Sequence, residues 1–255
     1  MNIDLNTYMI FLLISCRIGG LIFFNPIFGR RNIPAIVKVG LSLAIAISLV
    51  SSNQTISVMD FTTLELVFII LKEFAVGFVI GFIMQIFMAV FNIGGEIIDL
   101  QMGMGMALMY DPTSNSQISI NGKLLSIMYT LLFFVTNSHL AIIKIVSQSF
   151  AMVPIGISPI NNKIGVYMIE LFGYILIYAV QLALPLIVTQ IIVEIAVGVM
   201  MKVVPGINVF VINLQMKIII GIIVIITLMP SFVDFIGKLN QIMFTRIHET
   251  FMFFQ

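Results

Sequence analysis

The chain has 255 residues, of which 60% are hydrophobic and 9% charged, with a formal net charge of +1. A soluble domain carries about 25% charged residues because its surface faces water, so lipid or partner proteins must cover most of this one. Near-neutral charge excludes the basic field that nucleic acid would need, and the single cysteine, Cys16, excludes an intrachain disulfide and a thiolate zinc cluster.

With a mean hydropathy of +1.18, the chain reads as an all-α, polytopic integral membrane protein of about six apolar helical segments. The first covers 8–28 and lacks both a basic flank and a small-residue cleavage site, so an uncleaved span is expected. Arg17 lies near its middle, where a charge costs roughly 2.5–3.5 kcal/mol and normally faces a partner or a wet cavity. Arg30, Arg31 and Lys38 follow, whereas 51–63 has no Lys or Arg. The positive-inside rule therefore puts the first loop in the cytoplasm and the N-terminus outside. Six crossings then place 92–123 and 199–209 inside; Lys202 agrees and Lys163 does not.

The second segment, 35–50, is short for a span of about 20 residues. The third, 64–91, carries Glu65, Lys72 and Glu73. The fourth, 124–150, is interrupted by Thr136-Asn137-Ser138-His139, a polar turn between two halves. The fifth, 166–201, is too long for one straight span and contains Pro185, which frees the Gln181 carbonyl and should kink or break the helix. Glu170 and Gln181 share a face of it, and Gln190 and Glu194 form an i,i+4 pair. The sixth covers 210–235, and 237–255 has the spacing of an amphipathic helix. Arg17, Lys72, Glu73, Glu170, Gln181 and Glu194 read as buried polar groups that join helices. A proton pathway would need a longer series of facing ionisable groups, and snorkelling suits Lys72 and Lys123.

No catalytic set stands out, so a non-enzyme with no cofactor and no metal is expected. His139 and His248 are far apart and belong to no HExxH pattern, and GxSxG, P-loop and GxGxxG motifs are absent. Glu96 and Asp99 are three apart, which fits a solvated helix face better than a catalytic pair.

The stretch 92–116 is unusual. Gly94-Gly95 should weaken the end of the third helix, and Asp111-Pro112, after Tyr110, signals a turn. Between them Met102, Met104, Met106 and Met109 alternate with Gly103 and Gly105. An extended chain would project Met102, Met104 and Met106 to one side; a helix would stripe Met102, Met106 and Met109. Thioethers deform to fit varied surfaces, so two readings stand: a plug that seals a pore, or gap-filling in a hydrophobic core.

Several pieces form an ordered set: Arg17-Ile-Gly-Gly, Asn25-Pro26-Ile-Phe-Gly and Ile33-Pro34 through Lys38; Gly95-Glu96 through Asp111-Pro112; Asn137-Ser138-His139-Leu140; and Ser149-Phe150 through Gly156. Leu184-Pro185, Val204-Pro205-Gly206 through Val211, and Lys217 through Gly221 follow. Taken in this order, they resemble the FliR family of flagellar export proteins. The resemblance implies a subunit of the type III export gate at the flagellar basal body in the bacterial inner membrane. FliP-like and FliQ-like partners, FlhB-like and FlhA-like neighbours and unfolded protein substrates come with it. It also implies a FliP-like part over 1–165 fused to a FliQ-like helical hairpin over 166–255, with a gate loop built from 102–112. The injectisome homologue of virulence secretion shares this pattern and stands as the alternative. A small secondary transporter is a further alternative, although 1–127 and 128–255 do not look like inverted halves. A membrane enzyme lacks its catalytic set.

Overall fold

The computed structural model describes residues 5–50, 62–104, 119–156, 163–203 and 209–254. These form seven α-helices: α1 (Leu5–Phe24), α2 (Ala35–Val50), α3 (Thr63–Gln101), α4 (Ile120–Val135), α5 (Ser138–Met152), α6 (Lys163–Val203) and α7 (Val209–Thr250). A 3-10 turn, Phe251–Phe254, follows α7, and no strand occurs among the described residues. Four helices are long and apolar enough to cross a membrane, or up to five if α4 and α5 count as one span. Six crossings therefore exceed what helix length supports, chiefly because α2 has only 16 residues.

Helix boundaries depart from the hydropathy segments for physical reasons. α3, α6 and α7 have 39, 41 and 42 residues, so at about 1.5 Å per residue each extends roughly 60 Å, twice a hydrocarbon core of about 30 Å. α3 continues through Gly94-Gly95 instead of weakening there. α6 runs unbroken through Pro185, and Thr189 Oγ1 donates to the Pro185 carbonyl at 2.8 Å. The proposed amphipathic tail is the continuation of α7, since nothing after Phe235 stops the helix. The fourth segment is two helices, parted at Thr136-Asn137, where Asn137 adopts φ 55.

The chain divides into two compact units. The first comprises Met1–Phe87, Thr136–Glu170 and Gln241–Gln255. Within it α1 and α3 pack backbone to backbone, where a Cβ on Gly77 would lie 1.8 Å from the Arg17 carbonyl oxygen and one on Gly20 2.4 Å from that of Phe74. Gly77-x-x-x-Gly81 is the small-residue spacing that lets membrane helices approach closely. Leu13, Ile14, Ile18, Val76, Ile80 and Ile83 are buried around this crossing. In α2 only Ser42, Ala46 and Leu49 are buried, one face of the helix, while Ile36 and Ile47 point outward.

The second unit comprises Met88–Val135 and Leu171–Asn240. Here a Cβ on Gly95 would lie 2.1 Å from the Gly122 Cα, and one on Gly94 2.8 Å from Leu182 Cδ2. The glycine pair is thus a place where helices meet, and packing outweighs its low helix propensity. Phe91 stacks on Tyr129 at 4.9 Å, with Phe133 next to it at 6.1 Å. Ser126 Oγ donates to Asn92 Oδ1 at 2.8 Å across the same interface.

Candidate functional site

The methionine segment leaves α3 in a well-defined way. Met104 N donates to the Asp99 carbonyl at 3.0 Å and Gly103 N to that of Leu100 at 3.1 Å, while Gly103 has φ 75. This pair of bonds around a left-handed residue is the Schellman closure of a helix C-terminus, which favours glycine because no Cβ meets the preceding turn. Gly103 therefore caps α3, and the backbone there is fixed rather than loose.

Met102 points inward and is 1% exposed. Its Cε and Cγ lie 2.7 and 2.8 Å from where a Cβ on Gly221 of α7 would sit, so the missing side chain of Gly221 makes the slot that Met102 fills. Within the chain Met102 thus fills a gap against α7. Met104 is half-buried. Gly105, Met106, Met109, Tyr110, Asp111 and Pro112 lie outside the described residues.

A polar clasp secures the same corner. Asn121 Nδ2, in the first turn of α4, donates to Asp99 Oδ1 at 2.5 Å and lies 3.6 and 3.8 Å from the sulfurs of Met102 and Met104. Asp99 is buried and Glu96 exposed, so the two do not share a solvated face as their spacing suggests. Close packing of Gly95 on Gly122 draws Asp99 under the start of α4.

A second polar centre lies in the first unit. Arg17 Nε pairs with Glu73 Oε2 at 2.7 Å, and both side chains are fully buried. Arg17 Nη1 donates to Ser149 Oγ at 3.2 Å and Nη2 to the Val153 carbonyl at 3.0 Å, with the guanidinium 4.2 Å above the Phe150 ring. Glu73 Oε1 accepts from Gly156 N at 3.2 Å. One ion pair thus joins α1, α3, α5 and the turn that follows α5. The sequence singles out Lys72 and Glu73 together, but only Glu73 faces this centre, and Lys72 is half-buried.

On α6 the expectation of burial fails within the chain. Glu170, Gln181, Pro185 and Glu194 are all exposed. Hydropathy marks a polar residue inside an apolar run as enclosed, yet only one face of α6 is covered: Leu171, Ile175, Ala179, Leu182, Ala183, Leu186, Gln190, Val193 and Val197. Gln190 Nε2 donates to the Lys217 carbonyl of α7 at 3.0 Å, and Lys217 Nζ pairs with Glu194. Near the chain end, Tyr167 OH donates to Glu249 Oε2 at 2.9 Å, and Arg246 Nη1 pairs with the same oxygen at 2.9 Å. Asn121 escapes sequence reasoning because nothing local marks a lone Asn at the start of an apolar run, and Ser149 and Gly221 enter it only within the family resemblance, with no contact assigned to either. The spacing Gly77-x-x-x-Gly81 is a signal that could have located the α1–α3 crossing.

These centres bind helices to one another. Among the described residues no three His, Cys, Asp or Glu side chains converge on a site for a metal ion. Residues 8–243 match the family described as bacterial export proteins, family 1. The chain is 30% identical over 233 residues to the flagellar biosynthetic protein FliR of Escherichia coli K12, covering 91% of this chain and 89% of that protein. Against FliR of Bacillus subtilis 168 it is 28% identical over 232 residues, 90% of this chain and 89% of the relative. For FliR of Aquifex aeolicus VF5 the figures are 28% over 224 residues, 88% and 86%.

Proposed function

The chain belongs to family 1 of the bacterial export proteins, and from that premise we propose that it is a non-enzymatic subunit of the flagellar type III export gate, in the inner membrane at the flagellar basal body. FliP- and FliQ-like subunits pack against it around a narrow conduit for unfolded flagellar proteins, with FlhB- and FlhA-like components beside them. Residues 1–165 supply a FliP-like part and 166–255 a FliQ-like hairpin. The gate loop starts at the α3 cap, with Met104 at its root, Met106 and Met109 as its deformable lining and Met102 as its anchor.

The observation that supports protein partners rather than lipid alone is on α6 and α7. Their most apolar stretches are only 33% and 17% buried in the chain, yet the exposed face of α6 carries Gln181, and Glu194 paired with Lys217 of α7. Polar groups facing hydrocarbon are costly, so these faces suit neighbouring subunits. The test is to purify the tagged chain in mild detergent with and without its FliP- and FliQ-like partners. A large multi-subunit particle is expected. A monomer or small homo-oligomer in the presence of those partners would overturn the gate and favour a transporter.

A further inference from the structure

In the first unit a cavity of about 640 Å³ opens beside the end of α1, the 25–31 turn and α3. One wall is aromatic: Phe24 meets Phe78 edge-on at 4.5 Å, and Phe78 stacks on Phe82 at 5.5 Å. Phe23 and Phe24 are 40% and 42% exposed, large apolar surfaces at the mouth. The rim carries Arg30 and Arg31, both exposed, and no carboxylate is among the lining residues.

The turn that positions these arginines is rigid. Asn25 is buried, its Oδ1 accepts from Ile27 N at 2.8 Å and Phe28 N at 3.1 Å, and Gly29 N closes on the Asn25 carbonyl at 2.7 Å. Arg30 Nε donates to the Pro26 carbonyl at 3.2 Å, which holds its guanidinium against the turn. Lys38 Nζ donates to the Gly29 carbonyl at 2.8 Å and lies 5.9 Å over the Phe23 ring, adding a third cation beside the rim. α1 is long and apolar enough to span, and as a span it would end at Phe24, at the depth where hydrocarbon gives way to headgroups. The basic loop places that end on the cytoplasmic side, where anionic lipid is drawn to Lys and Arg.

We propose that this groove binds an acidic phospholipid, with its phosphate on Arg30 and Arg31 and an acyl chain along Phe24, Phe78 and Phe82. The wall supplies apolar contact that a free anion cannot use. The rim supplies net positive charge that a zwitterionic lipid does not satisfy. The proposal rests on the membrane location and goes beyond the export role.

The test uses the full chain purified in detergent, alone and with its FliP- and FliQ-like partners, and native mass spectrometry with dioleoyl phosphatidylglycerol or dioleoyl phosphatidylcholine. Phosphatidylglycerol should bind in preference. Replacing both arginines, Arg30→Gln with Arg31→Gln, should weaken it on the order of 30-fold, from two charges near a lipid surface. Both arginines are exposed, so the variant should keep its thermal midpoint; should it not, Arg31→Gln alone should still weaken binding several-fold. Phe82→Ala should weaken both lipids alike. Equal binding of the two lipids, or undiminished binding by the arginine variants, overturns the proposal. So does inorganic phosphate competing as well as the lipid, which would make this a plain anion site. A photo-crosslinking residue at position 23 should capture lipid in the complex. Capture of a protein subunit with no lipid adduct would show the groove to be a protein interface and also overturn it. A chain that binds the lipid but never joins its partners would keep this site and remove the gate.

Discussion

Arg17 illustrates how one buried charge is made tolerable. Its pairing with Glu73, its bonds to Ser149 and Val153 and its place over Phe150 leave the guanidinium solvated by protein. Removing one member of such a pair strands the other charge, at a cost of about 3–5 kcal/mol, whereas removing both is often nearly neutral. Arg17→Leu should therefore abolish most of the folded yield, and the double variant with Glu73→Leu should recover a large part of it; size-exclusion profiles and thermal midpoints measure both. A double variant no better than the single would mean that the pair is not what Arg17 contributes. Met102 makes the complementary case. It fills the slot over Gly221, so Met102→Ala leaves a void costing about 2–5 kcal/mol. The thermal midpoint should fall while membrane tightness is kept. A leak with an unchanged midpoint would place Met102 in the seal after all.

At the scale of helices, glycine has opposite meanings at different positions. Gly77 lies where a Cβ would be 1.8 Å from backbone of α1, which cannot yield as a side chain can. Gly173 of α6 has nothing within 4 Å. Gly77→Ala should push α1 from α3, break the Arg17–Glu73 geometry and lower the thermal midpoint steeply. Gly173→Ala should be neutral or add about 0.5–1 kcal/mol through helix propensity. Equal effects would refute the crossing. The same contrast explains what was legible beforehand. The apolar runs announced helices, and Asn137 announced the break between α4 and α5. Helix ends were not legible, because Gly94-Gly95 and Pro185 have low intrinsic propensity and the sequence does not show the neighbours that override it. Arg17 stood out as a charge in need of a partner, and Glu73 as a candidate; that Ser149 and Val153 complete the set depends on contacts more than a hundred residues apart in the chain.

Over the whole molecule, apolar surface remains on the outside after folding: Ile169, Ile192, Ile195 and Val203 of α6 and Ile226 of α7 are more than half exposed. In the gate proposed above, such surface is where neighbouring subunits would pack, and the seal is a property of that assembly. In the proposed gate the seal must exclude ions yet yield to a passing chain. Apolar side chains exclude ions by dewetting a narrow passage, and unbranched thioethers yield because they adapt to varied surfaces. The fixed points are the Gly103 cap, the Asp99–Asn121 clasp and Met102 in its slot. Met104, whose backbone closes that cap, and Met106 and Met109 beyond it are the residues to alter. Replacing these three with alanine removes most of the lining volume and spares the anchor, so the complex should still assemble but leak small ions, read as membrane conductance and growth inhibition on expression. Replacing them with leucine keeps the volume and loses the adaptability, so conductance should stay low while secreted substrate falls. A tight membrane and normal secretion from a fully assembled three-alanine complex would return these methionines to the gap-filling role that Met102 already has.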